Sequence, residues 1–214
     1  MSDEYFETRF TPDSRREGLW QALVNYHFQA QVDPSHTVLE LGAGFGHFIN
    51  NIQAARRIAL DQWEGFPGYL KPGIESHVGP VSDLSFLENN SVDFVMASNL
   101  FEHVPQESFA SVLKQLKVKL RPGGTINLLQ PNYRFAFREY FDDYTHTTIY
   151  SDISLTDFLR ANGYDILYSE PRFMPLTIKS RFPVSSSLIR MYLLSPLKPM
   201  GKQMLIKATP ASPR

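Results

Sequence analysis

The chain contains no cysteine, which excludes disulfide bonds, thiolate metal sites and a cysteine nucleophile. It has no run approaching the ~20 apolar residues that a membrane-spanning helix needs. Its first residues also lack the basic-then-apolar pattern of a signal peptide. We therefore expect a cytoplasmic protein. The 214 residues are 43% hydrophobic and 13% aromatic, a composition typical of one globular domain with a sizeable core.

Acidic residues are missing from the C-terminal part of the chain. Residues 171–214 contain eight basic residues and no acidic one, whereas residues 1–170 contain 13 basic and 22 acidic residues, a net charge of −9. The acidic body argues against nucleic acid as a partner. The basic segment 171–201 also holds the apolar cluster from Leu188 to Leu194. Three roles stay open for it: a lid over a substrate site, a homodimer contact or a peripheral membrane contact.

Three glycines at alternate positions follow a short apolar run. The run from Thr37 to Leu41 has the character of a strand, and Gly42, Gly44 and Gly46 come directly after it, before helical spacing resumes at Phe48. Glycine is needed where backbone passes close to a ligand or takes a positive φ. The pattern therefore predicts a ligand-binding turn, with the N-terminal amides of a following helix facing the ligand.

The spacing of these glycines indicates the class of ligand. His47 stands where the dinucleotide fingerprint G-x-G-x-x-G has its third glycine. The observed G-x-G-x-G, preceded by Glu40, instead resembles motif I of the class I S-adenosylmethionine-dependent methyltransferases. Asp61 closes the next apolar stretch, nineteen residues after Gly42. A carboxylate there can accept both ribose hydroxyls of an adenosyl group.

Further stretches stand in the order and at the spacing of that family. The segment around Asp83 and Leu84 resembles its adenine site, where the carboxylate accepts from the adenine amino group and the next backbone amide meets a ring nitrogen. The run from Val92 to Ser98 resembles the fourth strand. The loop from Asn99 onward resembles the segment that lies against the methionine part of the cofactor. The run from Leu120 to Gly124 resembles the entry to the fifth strand.

The resemblance covers about residues 37–130 and implies an α/β fold. We expect a doubly wound, mostly parallel seven-stranded sheet of the Rossmann type with helices on both faces, which the alternation of strand and helix patterns also predicts. The expected organisation is one methyltransferase domain over residues 1–214. Within it, residues 1–36 form an N-terminal helical cap, 37–170 the cofactor-binding core and 171–201 a basic insertion between the last two strands.

Individual elements can be predicted from local patterns. Helices are expected from Ser14 to about Ala30, from Pro105 onward, and after a cap at Ser154 that pairs with Asp157 and leads to a stop at Gly163. The last two strands are expected from Tyr164 to Ser169 and from Gln203 to Thr209.

The activity implied by the resemblance is methyl transfer from S-adenosyl-L-methionine, with S-adenosyl-L-homocysteine as the product. The acceptor would be an oxygen or nitrogen of a small molecule, or of a glycan- or lipid-linked compound, attacked by in-line displacement. A hydroxyl or protonated amine must also lose a proton, and the ordinary histidine pKa of about 6.5 suits that exchange. We predict His146 and His103 as catalytic residues, with Glu102 and Asp143 as the other candidate bases. No residue spacing predicts a metal site.

Two other functions stay open. One is a Rossmann-type NAD-dependent oxidoreductase, against which His47 counts, because it replaces the third glycine of the dinucleotide fingerprint. The other is a non-catalytic S-adenosylmethionine-binding protein, which only a measurement of turnover separates from an enzyme.

Overall fold

The computed structural model describes residues 14–175 and 185–212, so Lys179 and Arg181 of the predicted basic insertion and the first 13 residues of the predicted cap lie outside the described residues. The helices and strands in chain order are α1 (Ser14–Leu23), β1 (Thr37–Leu41), β2 (Arg56–Asp61), β3 (Glu75–Val78), β4 (Val92–Ser98), α2 (Gln106–Lys119), β5 (Leu120–Pro131), α3 (Tyr133–Ala136), α4 (Asp152–Ala161), β6 (Tyr164–Pro175), α5 (Ser186–Leu194) and β7 (Gly201–Pro210). The chain divides into two compact units, residues 1–81 with 177–196 and residues 82–176 with 197–214.

The first unit contains three parallel strands. In register, Leu41 of β1 lies opposite Leu60 of β2, and Asp61 lies opposite Val78 of β3. All five residues of β1 are buried, which is typical of a strand covered on both faces. Because β1 and β2 end at nearly the same level, the loop that follows Leu41 starts beside the end of β2.

Helical segments complete the first unit. The predicted long N-terminal helix is α-helical only to Leu23 and continues as a wide π turn, Val24–Phe28, and a 3₁₀ turn, Gln29–Gln31. Helix α5 lies against this segment, with the Arg190 guanidinium 5.5 Å from the centroid of the Tyr26 ring.

The second unit holds the remaining four strands. β4 and β5 are parallel, with Ser98 opposite Leu129, whereas β7 is antiparallel to both β5 and β6. The bounds predicted for β4 are confirmed, and the last two strands form where the sequence places them, each a few residues longer.

The strands form one sheet in the order β3-β2-β1-β4-β5-β7-β6. The predicted fold class, α/β with a mostly parallel seven-stranded sheet, is confirmed. Among residues 14–175 and 185–212, no helix combines the length and apolar character needed to cross a bilayer.

The helix expected after the glycines does not form as a regular element. Residues 44–51 are hydrogen-bonded turns, in which Asn50 N–H donates to Gly46 O at 2.9 Å and Ile52 N–H donates to Phe48 O at 3.1 Å. The glycines take a left-handed path up to Gly46, and β2 begins at Arg56, so residues 47–55 make the connection.

The cap of α4 lies three residues earlier than predicted. Ser151 is the N-cap, with its Oγ accepting from Ser154 N–H at 3.1 Å and its own N–H donating to Ser154 Oγ at 2.9 Å. Ser151 has the extended backbone that an N-cap requires, whereas Ser154 is already in the first helical turn. The predicted stop is confirmed, since Gly163 has a φ of 73°.

Strand β6 enters the segment predicted as an insertion. It runs to Pro175 and pairs with β7 across bulges, with Met174 opposite Gln203 and Pro175 opposite Gly201. Residues 171–175 are therefore part of a strand. In the other described part of the predicted insertion, residues 185–201, helix α5 forms.

Candidate active site

The loop after β1 has the backbone path that its glycines predict. Gly42, Gly44 and Gly46 have φ values of 69°, 51° and 66°, a region that residues with a Cβ rarely adopt. The N–H groups of Gly42 and Ala43 both donate to Leu60 O, at 2.9 and 3.1 Å. The loop is thereby fixed to the end of β2.

Gly46 also has no room for a side chain. A Cβ placed on it would lie 2.6 Å from Leu70 Cδ2 and 3.0 Å from Asn50 Nδ2. Asn50 in turn donates to Tyr69 O at 2.8 Å and accepts from Lys71 N–H at 2.8 Å. The segment from Tyr69 to Lys71 is therefore held against the glycine loop by hydrogen bonds as well as by packing.

Glu40 fixes the far side of the loop. Its side chain is buried, and Oε2 accepts from Ile49 N–H at 3.0 Å. Burial raises the pKa of Glu40 to about 8, and this outweighs the lowering effect of the hydrogen bond. The bond spans the whole glycine segment, so Glu40 helps to hold its shape.

Asp61 contacts the glycine loop directly. Its Oδ2 accepts from Gly44 N–H at 2.8 Å, and its Oδ1 accepts from Trp63 N–H at 2.9 Å. Burial raises the pKa of Asp61 above its ordinary value, although these backbone hydrogen bonds act in the opposite direction. A carboxylate has about four lone-pair sites, so acceptor capacity for a ligand remains.

Aromatic residues beside Asp61 were not predicted from the sequence. The Phe45 ring lies 5.4 Å from Trp63 and 4.7 Å from Tyr69, measured between ring centroids. Phe45 is buried, Trp63 is partly exposed and Tyr69 is 45% exposed. The available sequence signal was the position of Phe45 within the glycine motif and of Trp63 two residues after Asp61.

In the second unit, the predicted adenine residues are engaged with the protein itself. Asp83 is exposed, and its Oδ1 accepts from Ser85 N–H at 3.0 Å. That contact holds the pKa of Asp83 below its ordinary value. Leu84 N–H, expected to face a ring nitrogen, donates to Gln115 Oε1 at 3.1 Å. The Gln115 side chain also donates to Ser82 O at 2.7 Å.

Asn99 marks the carboxyl end of β4. It has a φ of 49°, and its N–H donates to Leu129 O at 2.8 Å. Its Oδ1 accepts from Gln203 Nε2 at 3.0 Å. Its exposed side chain thus stands at the strand end where the sequence places it.

The two predicted catalytic histidines lie together. His103 ends the 3₁₀ turn Phe101–His103 after β4, and His146 lies in the loop after β5. Their ring centroids are 4.7 Å apart. The two segments are joined by backbone hydrogen bonds, with Thr147 and Thr148 N–H donating to Glu102 O at 2.9 and 3.0 Å.

Oxygen acceptors orient both imidazoles. His146 Nδ1 lies 2.5 Å from Tyr140 O, a carbonyl that can only accept. His103 Nδ1 lies 2.9 Å from Thr145 Oγ1, whose hydroxyl donates to Asp143 Oδ1 at 2.6 Å. Each Nδ1 therefore carries a hydrogen, so in the neutral form of either ring Nε2 carries the lone pair.

Burial and hydrogen bonds set the ionisation of Glu102, His103 and Asp143, which lie in these two segments. Burial raises the pKa of Glu102 to about 8 and lowers the pKa of His103 to about 4. Burial also acts to raise the pKa of Asp143, but hydrogen bonds from Thr145 outweigh it and hold this pKa below its ordinary value. At neutral pH the cluster thus combines a neutral His103 with an ionised Asp143.

Comparison with known proteins decides the family. A family model described as a methyltransferase domain matches residues 13–169. The chain belongs to the class I S-adenosylmethionine-dependent methyltransferase family. The predictions of enzyme class and cofactor are confirmed, and the NAD-dependent oxidoreductase alternative is set aside.

The methyltransferase has relatives of known sequence and structure. It is 28% identical over 193 residues to malonyl-[acyl-carrier protein] O-methyltransferase of Methylococcus capsulatus, in a match that covers 83% of this chain and 66% of the relative. The chain thus spans just under two thirds of that relative's length. A methyltransferase of Archaeoglobus fulgidus has a TM-score of 0.67 at 21% identity, covering 96% and 97% of the two chains. A "possible histamine N-methyltransferase" of Thermotoga maritima has a TM-score of 0.62 at 17% identity, covering 97% and 93%. These structural matches show the shared fold.

The glycine loop of the methyltransferase has a shape that would suit its cofactor. Its left-handed backbone is one that residues with a Cβ rarely adopt, and a Cβ at Gly46 would have to displace the Leu70 side chain. Asp61 presents a carboxylate beside it. Close backbone approach beside a carboxylate is the arrangement that binds the sugar of a nucleoside in α/β folds.

Proposed function

We propose that the methyltransferase acts on an oxygen or nitrogen of a small molecule, or of a glycan- or lipid-linked acceptor, that must lose a proton on methylation. The observation that carries this proposal is the orientation of His103 and His146, whose Nδ1 atoms both donate. Each Nε2 can then accept a proton. Hydroxyls and protonated amines need such a group, whereas a carboxylate has already lost its proton at neutral pH.

Oxygen is the favoured acceptor atom within this proposal. The relative from Methylococcus capsulatus is named an O-methyltransferase, which supports oxygen as the acceptor atom by similarity. The malonyl group in its name offers a carboxylate oxygen, so the support extends to the element and not to a hydroxyl group. Exposed aromatic side chains in the loop after β5 support an organic acceptor with apolar parts, since Phe137, Phe141 and Tyr144 are 54%, 56% and 69% exposed.

The proposal assigns the cofactor to the residues that the sequence predicts for it. Backbone amides of the glycine loop, Gly42 to Gly46, would approach the cofactor closely, Glu40 would hold the shape of that loop, and Asp61 would accept the ribose hydroxyls. Asp83, Leu84 and Asn99 remain proposed for the adenine and methionine parts. When bound, S-adenosylmethionine supplies a methyl group made electrophilic by a positively charged sulfur.

The protein would contribute to the reaction by positioning the acceptor and by accepting its proton. Holding the acceptor in line and excluding water are the main requirements of such a displacement. His146 would take the proton that the acceptor hydroxyl or ammonium loses, and His103 is the weaker candidate base because burial lowers its pKa to about 4. Asp143, through Thr145, keeps the His103 ring oriented for this role.

A product-detected screen with methyl-labelled cofactor tests this function. Hydroxylated, aminated and carboxylated acceptors would be compared, each in free and lipid-linked form. We expect methylation of hydroxyls or amines, and a loss of about two orders of magnitude in turnover for His146→Ala or His103→Ala. Affinity for S-adenosylhomocysteine should be retained in both, and His77→Ala on β3 serves as the matched control. Methylation of carboxylates alone, or full turnover in both variants, would overturn the proposal.

We further propose that α5 brings the enzyme to an anionic membrane surface. Its Leu188, Met191 and Leu194 are 46%, 64% and 75% exposed, in a segment that has basic residues and no acidic one. Such a helix can lie in the lipid interface, helped by about 1 kcal/mol for each nearby basic residue. The fraction of protein that co-sediments with anionic vesicles should fall as the salt concentration rises, and the Met191→Glu variant should no longer co-sediment. Absence of co-sedimentation at low salt would refute the membrane contact, and a dimer in sedimentation equilibrium would then assign this face to a second copy.

A further inference from the structure

A carboxylate and two imidazoles converge in the second unit. Glu102 and His103 come from the turn after β4, and His146 comes from the loop after β5. One carboxylate oxygen and one nitrogen of each ring all lie within 4.8 Å of one another. Two histidines and one carboxylate form a ligand set that binds divalent transition metals in many proteins.

The carboxylate of Glu102 lacks the partner that its environment demands. The residue is fully buried, and neither Oε1 nor Oε2 has a hydrogen-bond partner. The nearby amides of Thr147 and Thr148 donate to the backbone carbonyl of Glu102, not to its side chain. A buried carboxyl group without partners is costly, and a bound cation is one of the few ways to satisfy it.

The imidazoles are oriented as metal-binding histidines usually are. A ligating histidine almost always donates its other N–H to a carbonyl or, directly or indirectly, to a carboxylate. His146 Nδ1 donates to Tyr140 O at 2.5 Å, and His103 Nδ1 donates to Thr145 Oγ1 at 2.9 Å, which in turn is bonded to Asp143. Both contacts fix the tautomer in which Nε2 can coordinate a metal.

We propose that Glu102, His103 and His146 bind a divalent transition-metal ion of the Zn²⁺ type. Three protein ligands of this kind leave at least one coordination position open. The alcohol or phenol oxygen of an acceptor suits that position. This last assignment rests on the acceptor class of the proposed function and replaces its histidine base, whereas binding of the ion by the chain depends on neither.

The bound ion changes where the acceptor proton goes. A hydroxyl coordinated to a divalent ion loses its proton to water near neutral pH, because the positive charge stabilises the resulting oxyanion. A lone pair of that oxygen forms the new bond to the methyl carbon, and the electron pair of the broken carbon–sulfur bond stays on sulfur. In this state both imidazoles are ligands, and water replaces them as the proton acceptor.

Metal titration of the full chain tests the site independently of turnover. Protein stripped with a chelator would be titrated with Zn²⁺ by calorimetry and with Co²⁺ by visible absorption, whose intensity reports four- or five-coordination. We expect one ion per chain and a loss of roughly 100-fold or more in affinity for Glu102→Gln and His146→Ala. Loss of an outer contact alone typically costs 10- to 100-fold, which Thr145→Val should show. His77→Ala should bind as the unmodified chain does.

The outcomes separate the metal site from the proposed function. Glu102→Gln keeps the size of the side chain, and its melting curve and affinity for S-adenosylhomocysteine establish that it is folded. Equal metal uptake by the unmodified chain and by folded Glu102→Gln would overturn the site, as would the absence of a Co²⁺ spectrum. Full methyl transfer to a hydroxyl by metal-free protein would overturn the role of the ion while leaving the proposed function intact.

Discussion

The carboxylate of Asp61 accepts a hydrogen bond from the backbone N–H of Gly44 at 2.8 Å. The bond joins the end of β2 to the middle of the glycine loop that follows β1. Asp61 therefore stabilises the loop, and in the proposed site it would also accept hydrogen bonds from the cofactor ribose. Substitutions that keep the first contact and weaken the second can distinguish them.

Removing the carboxylate of Asp61 should weaken cofactor binding. Hydrogen bonds to a charged group contribute about 1.5–3 kcal/mol each, so Asp61→Ala should lose roughly tenfold or more in affinity for S-adenosylhomocysteine. Asp61→Asn retains an oxygen for Gly44 N–H and should lose less. Asp83→Ala should have the smallest effect, because Asp83 is exposed and would make one contact with adenine, whereas Asp61 would accept both ribose hydroxyls. Calorimetry measures all three, and unchanged affinity in folded Asp61→Ala would remove Asp61 from the cofactor site.

A methyl group at position 46 should disturb the loop. In Gly46→Ala the added Cβ meets Leu70 at 2.6 Å, and the left-handed backbone, with a φ of 66°, costs a further ~1–2 kcal/mol. We expect a lower melting temperature together with weaker cofactor binding. Gly68→Ala is the matched control, because nothing lies within 4 Å of its Cβ position. Equal behaviour of the two variants would contradict the tight packing of Leu70 on the loop.

Trp63 should report cofactor binding by its fluorescence. The chain has two tryptophans. Trp63 follows Asp61 closely and packs on Phe45, whereas Trp20 packs on Phe28 at 6.3 Å in the helical layer. Addition of S-adenosylhomocysteine should change the emission of the unmodified chain and of Trp20→Phe, and leave Trp63→Phe nearly unchanged. The opposite pattern would place the cofactor away from Asp61.

The buried carboxyl of Glu40 should make stability depend on pH. Its pKa is raised from 4.5 in the unfolded chain to about 8 in the folded chain, mainly by burial. The folded state therefore binds more protons between these values, so the stability due to Glu40 is full below pH 4.5 and lost as pH rises through 8.

Glu40→Gln removes this dependence while keeping an oxygen for Ile49 N–H. The unfolding free energy of the variant, relative to that of the unmodified chain, should rise steadily from pH 5 to pH 8 in urea denaturation. Glu64→Gln, at an exposed position, should keep a constant difference over the same range. A constant difference for Glu40→Gln as well would show that Glu40 is not desolvated.

Local sequence patterns were sufficient to predict the elements that frame the proposed cofactor site. The apolar run from Val92 to Ser98 is a buried strand with those same bounds, because a strand covered on both faces needs continuous apolar side chains. The three glycines predict their own left-handed backbone, because other residues rarely adopt it. The distance along the chain from Gly42 to Asp61 predicts that the Asp61 carboxylate lies beside the glycine loop, because the parallel strands β1 and β2 end side by side.

Tertiary structure decided several features that local sequence patterns could not predict. The segment after Gly46 forms hydrogen-bonded turns and not a regular helix, and Ser151 caps α4 because its backbone, not that of Ser154, is extended. The engagement of Leu84 N–H by Gln115 also depends on where α2 packs.

The group formed by Glu102, His103 and His146 is the clearest case of a contact that the sequence alone could not predict. The sequence names His103 and His146 separately, and nothing in their spacing predicts that Glu102 would join them in a group of metal-ligand geometry. Their meeting depends on the parallel pairing of β4 and β5, which brings the segments after both strands to one edge. There, Thr147 and Thr148 bond to the Glu102 carbonyl and fix His146 beside His103. Contacts between residues more than 40 positions apart are set by strand pairing, whereas sequence periodicity specifies only the strands themselves.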